Sequence, residues 1–150
     1  KRFTGRALAR DDFLEALRSE EGFVGPTCWA DAAAGIASQL STAEGLALLA
    51  EAERKDPRNP AIFCARAEIL GVLDPERACQ AAERAIELYP ERSDPLLSFT
   101  NYRRQLEVLL RLQLTMNRRS QAKRTWAKVA KVFPARGEEL LAEHSWLGEE

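Results

Sequence analysis

Few residues of this chain could do covalent or metal chemistry. His144 is the only histidine, so a nucleophile–base pair or a histidine-bearing metal site has one imidazole to draw on. Three cysteines, Cys28, Cys64 and Cys79, lie 36 and 15 residues apart. A disulfide framework or zinc site needs closer pairs, or pairs matched with histidines, so these read as core or groove-lining thiols in a reducing cytoplasm. Cys28 beside Trp29 could be a nucleophile, yet no base is identifiable near it. The eight glycines never gather into a phosphate-cradling loop. The carboxylate pairs Asp11-Asp12 and Glu20-Glu21 fit helix starts and solvated surface. The expectation is a chain with no enzymatic activity, no cofactor and no metal site.

Charge is the more informative chemistry. The net charge is −1, but residues 1–100 carry −5, residues 101–136 carry +9 and residues 137–150 carry −5. The middle run holds Arg103, Arg104, Arg111, Arg118, Arg119, Lys123, Arg124, Lys128, Lys131 and Arg136. One reading is solvated helix faces packed against acidic neighbours such as Glu138, Glu139 and Glu143. A second is a surface that steers an acidic protein partner. The third is nucleic acid, whose phosphates Arg103, Arg104, Arg118, Arg119, Lys123, Arg124 and Lys128 would meet. Base stacking would fall to Tyr102, Trp126 and Phe133, the aromatics within the run.

Helices must carry all of these residues. Ala, Leu, Glu and Arg are plentiful and aromatics are 7% of the chain, which favours helix over strand. Asn59-Pro60, Asp74-Pro75 and Asp94-Pro95 each set a capping side chain before a proline suited to the first helical position. Ser41 with Glu44 offers a capping box, while Pro57, Pro90 and Pro134 close helices. Gly22 and Gly25 mark the exit from the first helix. The predicted helices run over about 9–21, 28–40, 42–55, 60–72, 75–89, 95–116, 120–133 and 137–146. No apolar stretch reaches the roughly 18 residues of a membrane span. Lys1 in place of Met implies a trimmed start.

Two segments superimpose without a gap at an offset of 33 residues: Trp29 on Ile62, Ala32 on Ala65, Ile36 on Ile69, Leu40 on Leu73, Ala52 on Ala85 and Pro57 on Pro90. Such a period marks stacked helix–turn–helix units that cannot bury their apolar faces alone. The series Trp29…Ala32-Ala33…Ile36…Gly45…Leu49…Ala52…Pro57 resembles the tetratricopeptide repeat. So does Ile62…Ala65…Ile69…Ala78…Ala82…Ala85…Pro90, with Arg66 departing from the usual small residue. A third unit, Leu106…Leu109-Leu110…Ala122…Trp126…Val129-Ala130…Pro134, departs at Gln113 and Val129. The match covers about residues 26–134, with repeats at 26–58, 59–91 and about 95–134. Segments 1–25 and 135–150 would cap a single domain.

The resemblance implies an all-α, right-handed solenoid of antiparallel helix pairs whose concave groove holds a peptide or helix of another protein. Its slots place Thr27, Ala30, Ala34, Phe63, Ala67, Leu70 and Arg111 along that groove, with Phe63 as the anchor. Small and apolar residues there cannot clamp a C-terminal carboxylate, so an apolar or helical ligand is expected. The resulting expectation is a non-catalytic adaptor. The alternative is an RNA-associated helical repeat using the basic 103–136 segment. Self-association through an open solenoid end is a further possibility.

Overall fold

A computed structural model describes the backbone of residues 5–19, 21–89 and 95–150, and side chains throughout these except at 5–10, 13, 21–24 and 95–100. Among the described residues every regular element is helical: α1 (Gly5–Ser19), α2 (Glu21–Ala37), α3 (Thr42–Lys55), α4 (Pro60–Leu70), α5 (Pro75–Leu88), α6 (Pro95–Thr115), α7 (Arg119–Val132) and α8 (Pro134–Glu143), then a 3-10 turn, Ser145–Gly148. None of these helices is long and apolar enough to cross a membrane.

The local signals act as their chemistry requires. Ser41 Oγ accepts from Glu44 N–H at 3.3 Å, Asn59 Oδ1 from Ala61 N–H at 3.0 Å and Asp74 Oδ1 from Arg77 N–H at 3.2 Å. Each satisfies a donor that a helix start leaves without an intrahelical partner. Pro134 follows α7 and also takes the first turn of α8, three residues ahead of the predicted start. Pro90 and Asp94 lie outside the described residues. Within α2 the helix breaks at Gly25, whose φ of 74° and ψ of 163° belong almost solely to glycine, and Pro26 restarts it.

The chain divides into two compact units, Lys1–Ile69 and Leu70–Glu150. That division falls at the last residue of α4, within the 59–91 segment.

In the first unit α1 packs on α2, and α2 on α3. Trp29 is fully buried, and its Nε1–H donates to Leu17 O at 3.0 Å, satisfying a carbonyl in the last turn of α1. The Lys55 ammonium lies 4.8 Å from the centre of the same ring. Arg66, the departure from the repeat pattern, pairs with Glu53 at 2.7 Å and lies over the Phe63 ring at 5.3 Å. Its charge is therefore met from α3 while the guanidinium group also faces an aromatic ring.

In the second unit each helix from α5 to α8 packs on the next, and the 3-10 turn packs on both α7 and α8. Leu106, Leu110, Ala122 and Val129 are at most 1% exposed. Gln113, which stands in the repeat slot of Ile69, is also buried, and its Oε1 accepts from the Thr125 hydroxyl at 2.7 Å. The α6–α7 turn is a Schellman closure: Asn117 takes φ 57°, Arg118 N–H donates to Gln113 O and Asn117 N–H to Leu114 O.

Positions paired at the 33-residue offset agree in burial at some places and differ at others, Ile36 being buried and Ile69 half-buried. Trp29 and Ile62, Leu49 and Ala82, and Ala52 and Ala85 all have no exposed surface. Leu73, paired by sequence with Leu40, is instead 66% exposed at the α4–α5 turn.

Candidate functional site

The cations of the 101–136 run separate into two sets. One is engaged inside the second unit. Arg118 reaches Glu76 with both terminal guanidinium nitrogens, the Nη1–Oε1 contact being 3.2 Å. Arg136 pairs with Glu107 and, at 2.8 Å, with Glu139. Hydrogen bonding to these carboxylates raises both guanidinium pKa values above the ordinary arginine value. Arg103 lies 3.9 Å from Glu107 and 5.2 Å from the centre of the Phe133 ring. Arg119 stands over Trp146 at 5.1 Å, and Lys123 Nζ donates to Glu149 O at 2.6 Å.

Arg104, Arg111, Arg124, Lys128 and Lys131 form the second set. All five are exposed, and their side chains make no ion pair, hydrogen bond or ring contact among the described residues. Three of them lie on α7, and the helical period explains how they come together. Arg124, Lys128 and Lys131 stand at i, i+4 and i+7, within about 60° of one another around the axis. Ser120 and Ala127, also exposed, form a row of small residues along the edge of this stripe. Ala122, Thr125 and Val129 hold the opposite face in the core.

No acidic residue occurs anywhere in α7. Arg124–Lys128 is a like-charge i, i+4 pair of the kind that destabilises a helix by a few tenths of a kcal/mol. The face is thus electrostatically unfavourable by itself.

The aromatics of this region are turned to structural use. Trp126 is half-buried and its Nε1–H donates to Gly137 O at 2.9 Å. Phe133 and Trp146 lie beneath guanidinium groups. None of these three rings is among the exposed large hydrophobics, which are Val72, Leu73 and Val132.

The residues read as groove-lining differ among themselves in exposure. Ala30, Ala34, Phe63, Ala67 and Leu70 are 0%, 8%, 6%, 1% and 3% exposed, so their side chains have little surface left for a partner. Phe63 serves as packing for Arg66 rather than as an open anchor. Only Thr27 and Arg111 of this group are exposed. Thr27, Ala30, Ala34, Phe63 and Ala67 belong to the first unit, Leu70 and Arg111 to the second. An apolar slot in a repeat marks equally a core position and a groove position, and the 33-residue spacing cannot separate the two.

Cys28 is exposed on α2, Cys64 half-buried on α4 and Cys79 buried on α5, and none is in a disulfide. Burial pushes the Cys79 thiol up to about 11, Arg118 opposing and Glu83 and Glu76 assisting. His144 caps the end of α8. Asp11 and Asp12 are exposed, whereas Glu20 and the Glu21 side chain lie outside the described residues. Among the described residues no three His, Cys, Asp or Glu side chains gather where they could hold a metal ion.

No protein-family model, curated protein or solved structure matches the chain.

Proposed function

We propose that this protein is a non-catalytic helical scaffold that holds a peptide or helix of a partner protein. The observation that carries the reading is the outward face of α7. Three cations without partners among the described residues occupy one side of a helix whose other side is spent on the core. A face that repels itself and is satisfied by nothing nearby is suited to an anionic partner. The gapless 33-residue repeat supports the same reading, because tetratricopeptide-like pairs stacked as a right-handed solenoid present helix faces as interaction surfaces. The apolar slots Ala30, Ala34, Phe63 and Ala67 are buried, so they add little support for an open apolar groove.

Affinity capture from a lysate of the source cells, with and without nuclease, tests the scaffold. A protein that stays bound after nuclease treatment is the expected result. Proteins that disappear with the nucleic acid would replace this reading with an RNA-associated one, in which the same cations meet phosphates. Committed as they are within the unit, Trp126, Phe133 and Trp146 would add little base stacking to such a complex.

A further inference from the structure

We propose that the stripe Arg124–Lys128–Lys131 of α7 docks an acidic helix of a protein partner, its Asp or Glu side chains spaced i, i+4 and i+7. This deepens the scaffold reading and rests on it. Three observations converge on that occupant.

The first is how this unit satisfies its other cations. Arg118 is met by Glu76 from α5, and Arg136 by Glu107 from α6 and Glu139 from α8. Where a carboxylate meets a cation at either end of α7 it is a helix-borne glutamate, while Arg119 and Lys123 of α7 itself are met by the Trp146 ring and the Glu149 carbonyl. Arg124, Lys128 and Lys131 are left where no further helix of the unit stands to supply one.

The second is register. Arg124 and Lys128 are about 6 Å apart along the axis, and Arg124 and Lys131 about 10 Å. A second helix lying alongside has the same rise, so carboxylates at i, i+4 and i+7 keep pace with all three cations. A duplex backbone crossing α7 at an angle meets the stripe only locally.

The third is relief. Ser120 and Ala127 beside the stripe let a neighbouring helix approach without displacing long side chains. Facing carboxylates then convert the like-charge repulsion along α7 into attraction. Among the described residues no exposed aromatic ring stands beside the cations to give nucleic acid a second support.

The test uses the full chain and two alanine-rich helical peptides of identical composition. One carries its glutamates in a single i, i+4, i+7, i+11 stripe, and the other scatters them around the helix. Fluorescence anisotropy at low salt should show the stripe peptide binding several-fold more tightly than the scattered one. Reversing the face (Arg124→Glu, Lys128→Glu, Lys131→Glu) should weaken it about tenfold or more, given a few tenths to 1 kcal/mol per exposed pair. The neutral triple variant to Gln should fall between, and circular dichroism should show helicity retained in both. Arg18→Glu, Arg54→Glu and Arg77→Glu, exposed on α1, α3 and α5, change the net charge by the same amount and should cost about twofold or less.

Equal binding of the two peptides, no binding of either, or an effect of the charge-matched control as large as that of the α7 reversal would overturn the proposal. So would an RNA duplex, or phosphatidylserine vesicles, binding more tightly than the stripe peptide in an α7-dependent way. The two readings fail separately. A nuclease-resistant partner captured equally well by the triple variant would keep the scaffold and remove α7 from it. Captured proteins that all vanish with nuclease, together with no peptide binding, would remove both.

Discussion

The Thr125 hydroxyl donates to Gln113 Oε1 at 2.7 Å in a site where both residues are at most 5% exposed. Thr125→Val keeps the side-chain shape but strands a buried carbonyl, which should cost about 1–3 kcal/mol. Adding Gln113→Leu removes the stranded group and restores the aliphatic character of the repeat slot, so the double variant should recover part of that loss. Urea denaturation of the single and double variants measures the coupling, and strictly additive costs would show that the pair does not act as a unit. Gln105 offers a contrast nearby on α6, because its Oε1 is already buried without a partner. At Cys79 the argument concerns pH. The thiol ionises near 9.0 when exposed and at about 11 in the fold, chiefly because burial disfavours the thiolate. Above pH 9 the unfolded chain therefore holds fewer protons than the native one. Stability is full below that pH and declines as pH rises through about 11, by roughly 2–3 kcal/mol. Cys79→Ala should flatten the fall between pH 9 and pH 11 relative to the parent, as read by denaturation midpoints across that range. An unchanged slope would locate the titrating group elsewhere.

At the scale of helices, much was legible because the caps are side chains with local rules. Ser41, Asn59 and Asp74 each hold the N–H that their type and position imply, and α3 spans the predicted 42–55. The closure at Asn117 was not legible, since a non-glycine residue at positive φ carries no strong sequence mark. Nor was the exposure of the apolar slots, because a periodicity of 3.6 tells which residues share a face but not what covers that face. Small residues mark close approach only in context, and two glycines on neighbouring helices should respond to alanine with opposite signs. A Cβ on Gly45 would stand 2.5 Å from Ala37 O and 3.2 Å from Ile69 Cδ1, and the backbone oxygen cannot rotate away. Gly45→Ala should therefore destabilise by about 1–3 kcal/mol despite alanine's helix propensity. A methyl on Gly35 of α2 would meet nothing within 4 Å, so Gly35→Ala should stabilise by roughly 0.5–1 kcal/mol. Thermal melts of the two variants decide it, and a stabilised Gly45→Ala would mean that α2 and α3 are not held as closely as described.

Over the whole chain, the near-zero net charge conceals how unevenly charge is placed. The acidic 137–150 segment answers part of the basic run, through Glu139 on Arg136 and the Glu149 carbonyl on Lys123, and leaves the outward side of α7 unanswered. The segregation was plain from composition, but which cations stayed unpaired depended on helix orientation. The division into units was hidden in a different way. The repeat groups α4 with α5, whereas compactness groups α4 with α1–α3 and begins the second unit at Leu70. The α4–α5 turn at that division exposes Val72 at 93% and Leu73 at 66%, two apolar side chains with no packing to lose. Asp74 N–H to Leu70 O, at 2.8 Å, is the backbone bond that closes it. A protease must draw several residues into an extended form, and it succeeds where the fewest contacts resist. Brief digestion with elastase, which accepts valine before the scissile bond, should make its first cut within the described residues between Val72 and Leu73. Mass spectrometry would then show fragments joining there, close to the boundary of the two units. Replacing Val72 with Asp should suppress this cut while shifting stability by no more than about 0.5 kcal/mol, since the side chain is almost wholly in solvent. An earlier cut inside α5 or α7 would show that those helices open more readily than the turn, and would move the weak point of the molecule from the turn into the packed helices of its second unit.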